Sequence, residues 1–416
     1  MYLLDQQICA DFVASETETH LLKGLALLAL NDLVLRNSLL ALASRHIANK
    51  YHKSDGLGPS RLADDTDRVA LLFKHRAIKE LSSALRDPIA LEKDTTVASV
   101  YIFILLDLLE SGSSGWQEHL DGARALSRPI HPQKVITPVV VPQPPPQGQD
   151  IRIFLSQKLY LYVHVDNSHS LSLANRWHYR AESIGSVFAR TQGTASLFPP
   201  ITLDERDVAR ESMADSFLGC PGLLLRAIRF ISAERDIIAV GLPHVKDQAR
   251  SVHEARIVAM LDLVEGFDFS TSPFAQQDNV SSIQQGQIVQ RRRVLSEVYK
   301  IGTLVYGKRV LATLLRAEIT LDEDVSNLLE LLDSLRGDQE LLKCVLWPLF
   351  VAGIECRSTE QRQYFIQHLE EFWMTTKCLN AVNAAKILQE YWQRGNTGTT
   401  SWPFDSGRFG RLWLLM

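Results

Sequence analysis

The strongest constraint on this chain is the period of its apolar residues, which is helical along nearly all of its length. In RRRVLSEVYKIGTLVY, Val294, Val298, Ile301 and Val305 recur every three or four residues and mark one inward face. ETHLLKGLALLALNDLVLRNSLLALASRHIANK supplies one or two further striped segments. DRVALLFKHRAIKELSSALRD follows and ends where Asp87-Pro88 prevents continuation. Asp94 and the Thr95-Thr96 pair offer an N-cap for TVASVYIFILLDLLESG, a helix apolar almost all round and therefore expected to be central. Gly112 and Gly115 stop it, and SGWQEHLDGARALS starts another. Helices resume at Ile151 with RIFLSQKLYLYVHVDNSHSLSLAN, then CPGLLLRAIRFISAERDIIA, the LVYGK segment, DVSNLLELLDSL, and a last block from Leu341 to Trp392. Neither βαβ alternation nor repeats of about 20–50 residues occur. The expected fold class is all-α.

Between Arg128 and Gln149 lies PIHPQKVITPVVVPQPPPQGQ, too rich in proline for a helix or a central strand. It divides the chain into an N-terminal helical part (1–127), a surface linker (128–149), a C-terminal helical part packing on the first (150–395) and a polar, glycine-bearing tail (396–416).

Composition narrows the function classes. The 416 residues are 46 % hydrophobic and 22 % charged, with a formal net charge of −4, so nothing draws the chain to nucleic acid or an anionic membrane. No apolar run reaches the roughly 18 residues needed to span a bilayer. The start, MYLLDQQICADF, lacks a signal peptide's basic and apolar regions, so a cytosolic or nuclear place is expected. Cys9, Cys220, Cys344, Cys356 and Cys378 are scattered and never spaced C-x₂-C, which speaks against a disulfide framework or a cysteine zinc site. Cys344 and Cys356 are expected in the core.

One position resists the pattern. Carried onward, the stripe of Val294 to Val305 runs through Lys308 to Ala312, and Gly307 precedes the lysine. A lysine there is either a snorkelling side chain near a frayed turn or a buried cation awaiting an anionic ligand.

VYIFILLDLLESGSSGWQEHLDGARAL resembles the hallmark of the fungal-specific transcription factor domain family: a long apolar helix ending in acids, a Gly/Ser turn, a tryptophan and an H-L-x-G-A run. Those positions are Trp116, His119, Leu120, Gly122 and Ala123. LGCPGLLLRAIRFISA and LLKCVLWPLFVAGIECRSTEQRQYF fit the same family, in order, over roughly residues 20 to 395. The resemblance implies an all-α regulatory domain with a central apolar cavity. Members normally begin with a six-cysteine binuclear zinc cluster and a basic linker that bind DNA. Here about 18 residues without a cysteine pair or basic run precede the helical part, so direct nucleic-acid binding is not expected.

A narrower resemblance bears on LVYGK. It is similar to a stretch of the atypical terpene cyclases of fungal tropolone-sesquiterpenoid pathways, all-α proteins that form humulene from farnesyl diphosphate with magnesium and a diphosphate-engaging lysine. In them a residue four before the lysine influences double-bond geometry. Lys308 and Leu304 match that spacing, which implies catalytic roles for both.

Chemistry states what such an enzyme needs: divalent metal and Lys or Arg on the leaving group, and a dry apolar cavity for the cation. For Mg²⁺, which takes oxygen ligands, Asp107 and Glu110 stand at i and i+3 at the end of an apolar helix. Asp166 and Asn167 form a second oxygen-rich cluster. For the diphosphate, Lys308 is joined by Arg309, Arg226 and Arg229. For the pocket, Phe103, Trp116, Leu304, Trp347, Phe350 and Trp373 lie on expected inward faces, where an aromatic stripe also serves as plain core. Gly307 would break the helix locally and let backbone approach a ligand. No G-x-S-x-G elbow, P-loop, H-E-x-x-H or dinucleotide fingerprint is found.

The expectation is an atypical Mg²⁺-dependent sesquiterpene cyclase, a lyase of fungal secondary metabolism making a humulene-type hydrocarbon from farnesyl diphosphate. It would be cytoplasmic, with an isoprenoid diphosphate as small-molecule partner, no membrane span, and room for a homo-oligomer. The alternative is a fungal transcriptional regulator or ligand-sensing accessory lacking its zinc cluster, and then nuclear.

Overall fold

Residues 24–51, 61–91, 93–111, 115, 118–119, 122, 221–241, 247–269, 283–394 and 402–404 are described in the computed structural model. Among them every regular element is helical, so the all-α expectation holds. The linker at 128–149, Trp116, Asp166 and Asn167 lie outside the described residues. The chain divides into two compact units, which are taken separately.

The first unit contains α1 (Leu33–Tyr51), α2 (Arg61–Ala84), the single turn α3 (Pro88–Leu91) and α4 (Asp94–Glu110) up to Leu109. Small residues bring α1 and α2 together. Ala70, Ala77 and Ala84 are buried at seven-residue spacing on α2, and Ala41 and Ala48 are buried on α1. Arg45 and Asp67 tie the pair with an ion pair at 2.7 Å. Side chains cap the helix starts. Asp32 accepts the Leu35 N–H at 2.9 Å, and its other oxygen accepts the Thr95 hydroxyl at 2.6 Å. Asp87 accepts the Ile89 N–H at 3.0 Å, so Asp87-Pro88 both ends α2 and starts α3. The Thr95-Thr96 pair, expected as a cap for α4, is used otherwise: Thr96 donates to the Ala90 carbonyl at 2.6 Å. α4 is buried at every position from Ile102 to Leu109, as a helix apolar all round requires.

The second unit is organised by α7 (Ile283–Leu315), a helix of 33 residues. α5 (Gly222–Gly241), α6 (Asp247–Glu265), α8 (Asp322–Ser334) and α10 (Leu346–Glu355) all pack on it. α9 (Gln339–Leu342) is a single turn capped by Asp338. α11 (Thr359–Thr376) and α12 (Leu379–Gln393) pack on α10, and the 3₁₀ turn Trp402–Phe404 returns to α7 and α5. Two glycines of α7 let neighbouring helices approach it closely. A Cβ at Gly302 would lie 3.0 Å from the Cβ of Pro348 and 3.1 Å from the Trp347 ring. At Gly307 it would lie 2.5 Å from Leu261 Cδ2 and 2.9 Å from Ile231 Cδ1. The expected local break at Gly307 is corrected here: α7 runs unbroken through it, and the missing side chain is space for α5 and α6.

α10 is buried at all ten positions, Pro348 included, whose missing N–H falls in the first turn and leaves no intrahelical bond unmade. Cys344 and Cys356 are buried thiols outside any disulfide, as the sequence leads one to expect, and burial pushes the pKa of Cys356 up to about 12.

Candidate functional site

The polar centre of the second unit is built on one face of α7. Tyr306 and Arg309 stand at i and i+3, so both project the same way. Across from Tyr306, α5 supplies Ser232 and Arg235. The Ser232 hydroxyl donates to the Ile228 carbonyl at 2.8 Å and meets the Tyr306 hydroxyl at 2.8 Å. Arg235 Nη1 donates to that same phenol oxygen at 3.1 Å, while Nε and Nη2 hold Asp236 Oδ1 at 2.9 and 2.7 Å. Tyr306 is fully buried, and burial raises its pKa against the opposing pull of Arg235. It is a neutral hydrogen-bonding phenol.

Arg309 faces α10. Its Nε donates to Glu355 Oε1 at 2.7 Å and its Nη2 to Oε2, a two-pronged pair buried at both ends. Trp402 adds a third donor, Nε1 to Glu355 Oε1 at 2.7 Å, and its ring lies 5.9 Å from that of Tyr306. Tryptophan thus joins the two clusters, and α5, α7, α10 and the 402–404 turn meet in one network. A carboxylate neutralised by a forked arginine is a poor base. The network serves to fix the register of four elements. Nearby on α5, Glu234 accepts Arg256 at 3.1 Å and faces His253, and Arg256 lies over the Phe230 ring at 5.3 Å.

The residues expected from sequence fall in several places. Lys308 is half-exposed at the flank of α7, its Nζ 2.9 and 3.1 Å from the two carboxylate oxygens of Asp324 in the first turn of α8. Arg309 points to α10 instead, so these adjacent cations diverge. Leu304 is buried one turn before Lys308. Arg226 and Arg229 are half-buried on α5, about two turns and one turn ahead of Ser232 respectively. Trp347, Phe350 and Trp373 are buried in the second unit, and Trp347 stacks on Tyr299, whose hydroxyl donates to the Cys344 carbonyl at 2.7 Å.

Phe103, Asp107 and His119 belong to the first unit. Asp107 Oδ2 lies 3.5 Å from His119 Nε2, and a Cβ on Gly115 would sit 3.0 Å from that oxygen. Gly115 has φ +112°, a left-handed conformation that glycine adopts without strain. The His119 ring lies 5.2 Å from that of Phe103; burial and Lys74 lower its pKa, against the pull of Glu118. Glu110 is half-buried at the helix end. Among the described residues no group of three His, Cys, Asp or Glu is arranged to hold a metal ion.

Sequence reasoning missed Tyr306, Arg235, Asp236, Glu355 and Trp402. Two signals were available: an acid closing the otherwise apolar run WPLFVAGIE, and a lone Trp-Pro-Phe in a polar tail.

The profile of the fungal specific transcription factor domain matches residues 6–407. A curated relative, the acriflavine sensitivity control protein acr-2 of Neurospora crassa, is 22 % identical over 401 residues, covering 93 % of this chain. The chain spans 60 % of that relative's length. No solved structure matches. These findings overturn the expectation of a terpene cyclase. Family and relative speak of transcription and of control, so the assignment as a lyase making humulene from farnesyl diphosphate is withdrawn. What misled was the Gly307-Lys308 pair: the glycine is a helix-packing position and the lysine has an acidic partner. The chain belongs to the fungal specific transcription factor domain family.

Proposed function

We propose that this chain is the regulatory body of a fungal transcriptional regulator, a helical domain that receives a partner protein or a small ligand and passes that event on to transcription. The observation that carries the reading is the single family match running from residue 6 to residue 407. The buried network supports it. Arg309 and Glu355 spend their charges on joining α7 to α10, while Arg235 pairs with its neighbour Asp236 on α5 and reaches Tyr306 of α7. A satisfied buried network of this kind rigidifies the elements that it joins, so a displacement of one helix would be passed on to the others. A net charge of −4 offers no general attraction to phosphates, so DNA contact is assigned to another part of the regulator, and the place of action to the nucleus. Among the described residues no helix is long and apolar enough to cross a membrane.

The test is to fuse the full chain to an unrelated DNA-binding domain upstream of a reporter, and separately to delete the gene and profile transcripts. A several-fold change in reporter output over the DNA-binding domain alone, and a discrete set of altered transcripts, are expected. An unchanged reporter together with an unchanged transcript profile would overturn the proposal.

A further inference from the structure

The link between α7 and α8, residues 317–321, has no regular structure, and Thr320 is exposed in it. Acids follow that hydroxyl closely, in the order Thr320-Leu321-Asp322-Glu323-Asp324. Leu321, at the N-cap of α8, gives the first turn no side-chain hydrogen bond, so that turn opens more readily than a capped one. A cation already attends the segment. Arg357, exposed in the corner between α10 and α11, donates from Nη2 to the Ile319 carbonyl at 3.2 Å, and its Nε lies 3.9 Å from Asp322 Oδ1. The guanidinium therefore touches the residue before Thr320 and the second residue after it. Asp324 is held by Lys308 instead, and Glu323 is exposed.

We propose that Thr320 is a phosphorylation site for an acidophilic serine/threonine kinase, and that Arg357 holds the phosphate once it is attached. Kinases choose among hydroxyls by the charges around them, and acids at the second, third and fourth positions after Thr320 suit a basic cleft and repel an acidic one. Thr320 Oγ1 attacks the γ-phosphorus of ATP. The new O–P bond forms as the bond to the β,γ-bridging oxygen breaks, ADP leaves, and the hydroxyl proton passes to the base of the kinase. The product carries about −1.5 to −2 charges at neutral pH and three acceptor oxygens. Asp322, with one charge and a separation of 3.9 Å, is the weaker partner, so Arg357 turns its fork from the carboxylate to the phosphate. Arg357 stands two residues past Glu355, so the new pairing bears on the end of α10 that carries the buried ion pair. Phosphorylation here does not depend on a role in transcription, and its test reads no transcript.

The experiment incubates the full chain with a purified acidophilic serine/threonine kinase, ATP and Mg²⁺, and locates phosphate by peptide mass spectrometry. The chain isolated from its own fungal cells is mapped in parallel. Phosphate on Thr320 is expected in both. Glu323→Gln, a change at an exposed side chain checked by circular dichroism, should slow modification of Thr320 by about 10-fold or more. Arg357 is tested by phosphorus NMR, on the signal that Thr320→Val lacks. That signal should titrate at lower pH in the wild type than in Arg357→Gln, because a neighbouring cation favours the dianion. A Thr320 that the kinase leaves bare, or that carries no phosphate in the cell, overturns the proposal. So does modification indifferent to Glu323→Gln, or a titration midpoint that Arg357→Gln does not move.

Discussion

Trp402 donates its indole N–H to Glu355 at 2.7 Å, on the same oxygen that accepts Arg309 Nε, so a residue near the end of the chain completes the ion pair at its centre. Trp402→Phe keeps most of the ring and removes that donor. A hydrogen bond to a charged acceptor is worth about 1.5–3 kcal/mol, so unfolding by urea should show a loss of that order. Trp402→Ala should cost more, about 3–5 kcal/mol, because the contact with Tyr306 goes as well. Equal stability of Trp402→Phe and wild type would mean the indole N–H contributes nothing here.

Breaking the buried pair from one side leaves a charge without its partner. Arg309→Met or Glu355→Gln should each destabilise the second unit by about 3–5 kcal/mol, and the double variant by much less than the sum. Additive losses in a double-mutant cycle would show that the two side chains act independently.

Lys308→Met is the contrast, one residue away. Lys308 and Asp324 are both partly open to water, with side chains 36 % and 23 % exposed, and such pairs are worth about 0–1 kcal/mol. The melting temperature should barely move. A loss as large as that of Arg309→Met would place Lys308 in the buried network after all.

Gly307→Ala sets helix propensity against packing. Alanine favours a helix by about 1 kcal/mol, but its methyl would meet Leu261 and Ile231 at under 3 Å, and overpacking costs about 1–3 kcal/mol. Net destabilisation is expected. Gly286→Ala, on the same helix with nothing within 4 Å of the new methyl, should instead stabilise by about 0.5–1 kcal/mol. Denaturant midpoints moving in the same direction for both would contradict the close approach at Gly307.

His368 gives the second unit a pH dependence. Burial lowers its pKa below 6.5, against the hydrogen bond to the Tyr364 carbonyl, which raises it. A base whose folded pKa is depressed binds fewer protons folded than unfolded, so stability is fully present above 6.5. It falls as pH drops from 6.5 towards the lowered folded value. His368→Gln should flatten that slope in melts between pH 5 and 8; an unchanged slope would assign the effect to other groups.

Apolar period was enough to settle the all-α class and the central α4, because burial on a helix repeats every 3.6 residues and that repeat is written locally. Asp87-Pro88 likewise marked the end of α2, since a proline constrains its own neighbours. The meaning of Gly307-Lys308 was not local. Whether a glycine in a helix is a break or a contact depends on what packs over it, here Leu261 and Ile231, distant in sequence. Whether a lysine on an apolar stripe waits for a ligand depends on the acid it finds, here Asp324 across a turn. The same holds for Glu355, an acid closing an apolar run, whose charge is tolerable in the interior only because Arg309 and Trp402, 46 residues before it and 47 after it, converge on it. Tertiary structure decided these roles, because buried charge is stabilised by partners that the chain brings from far along its length.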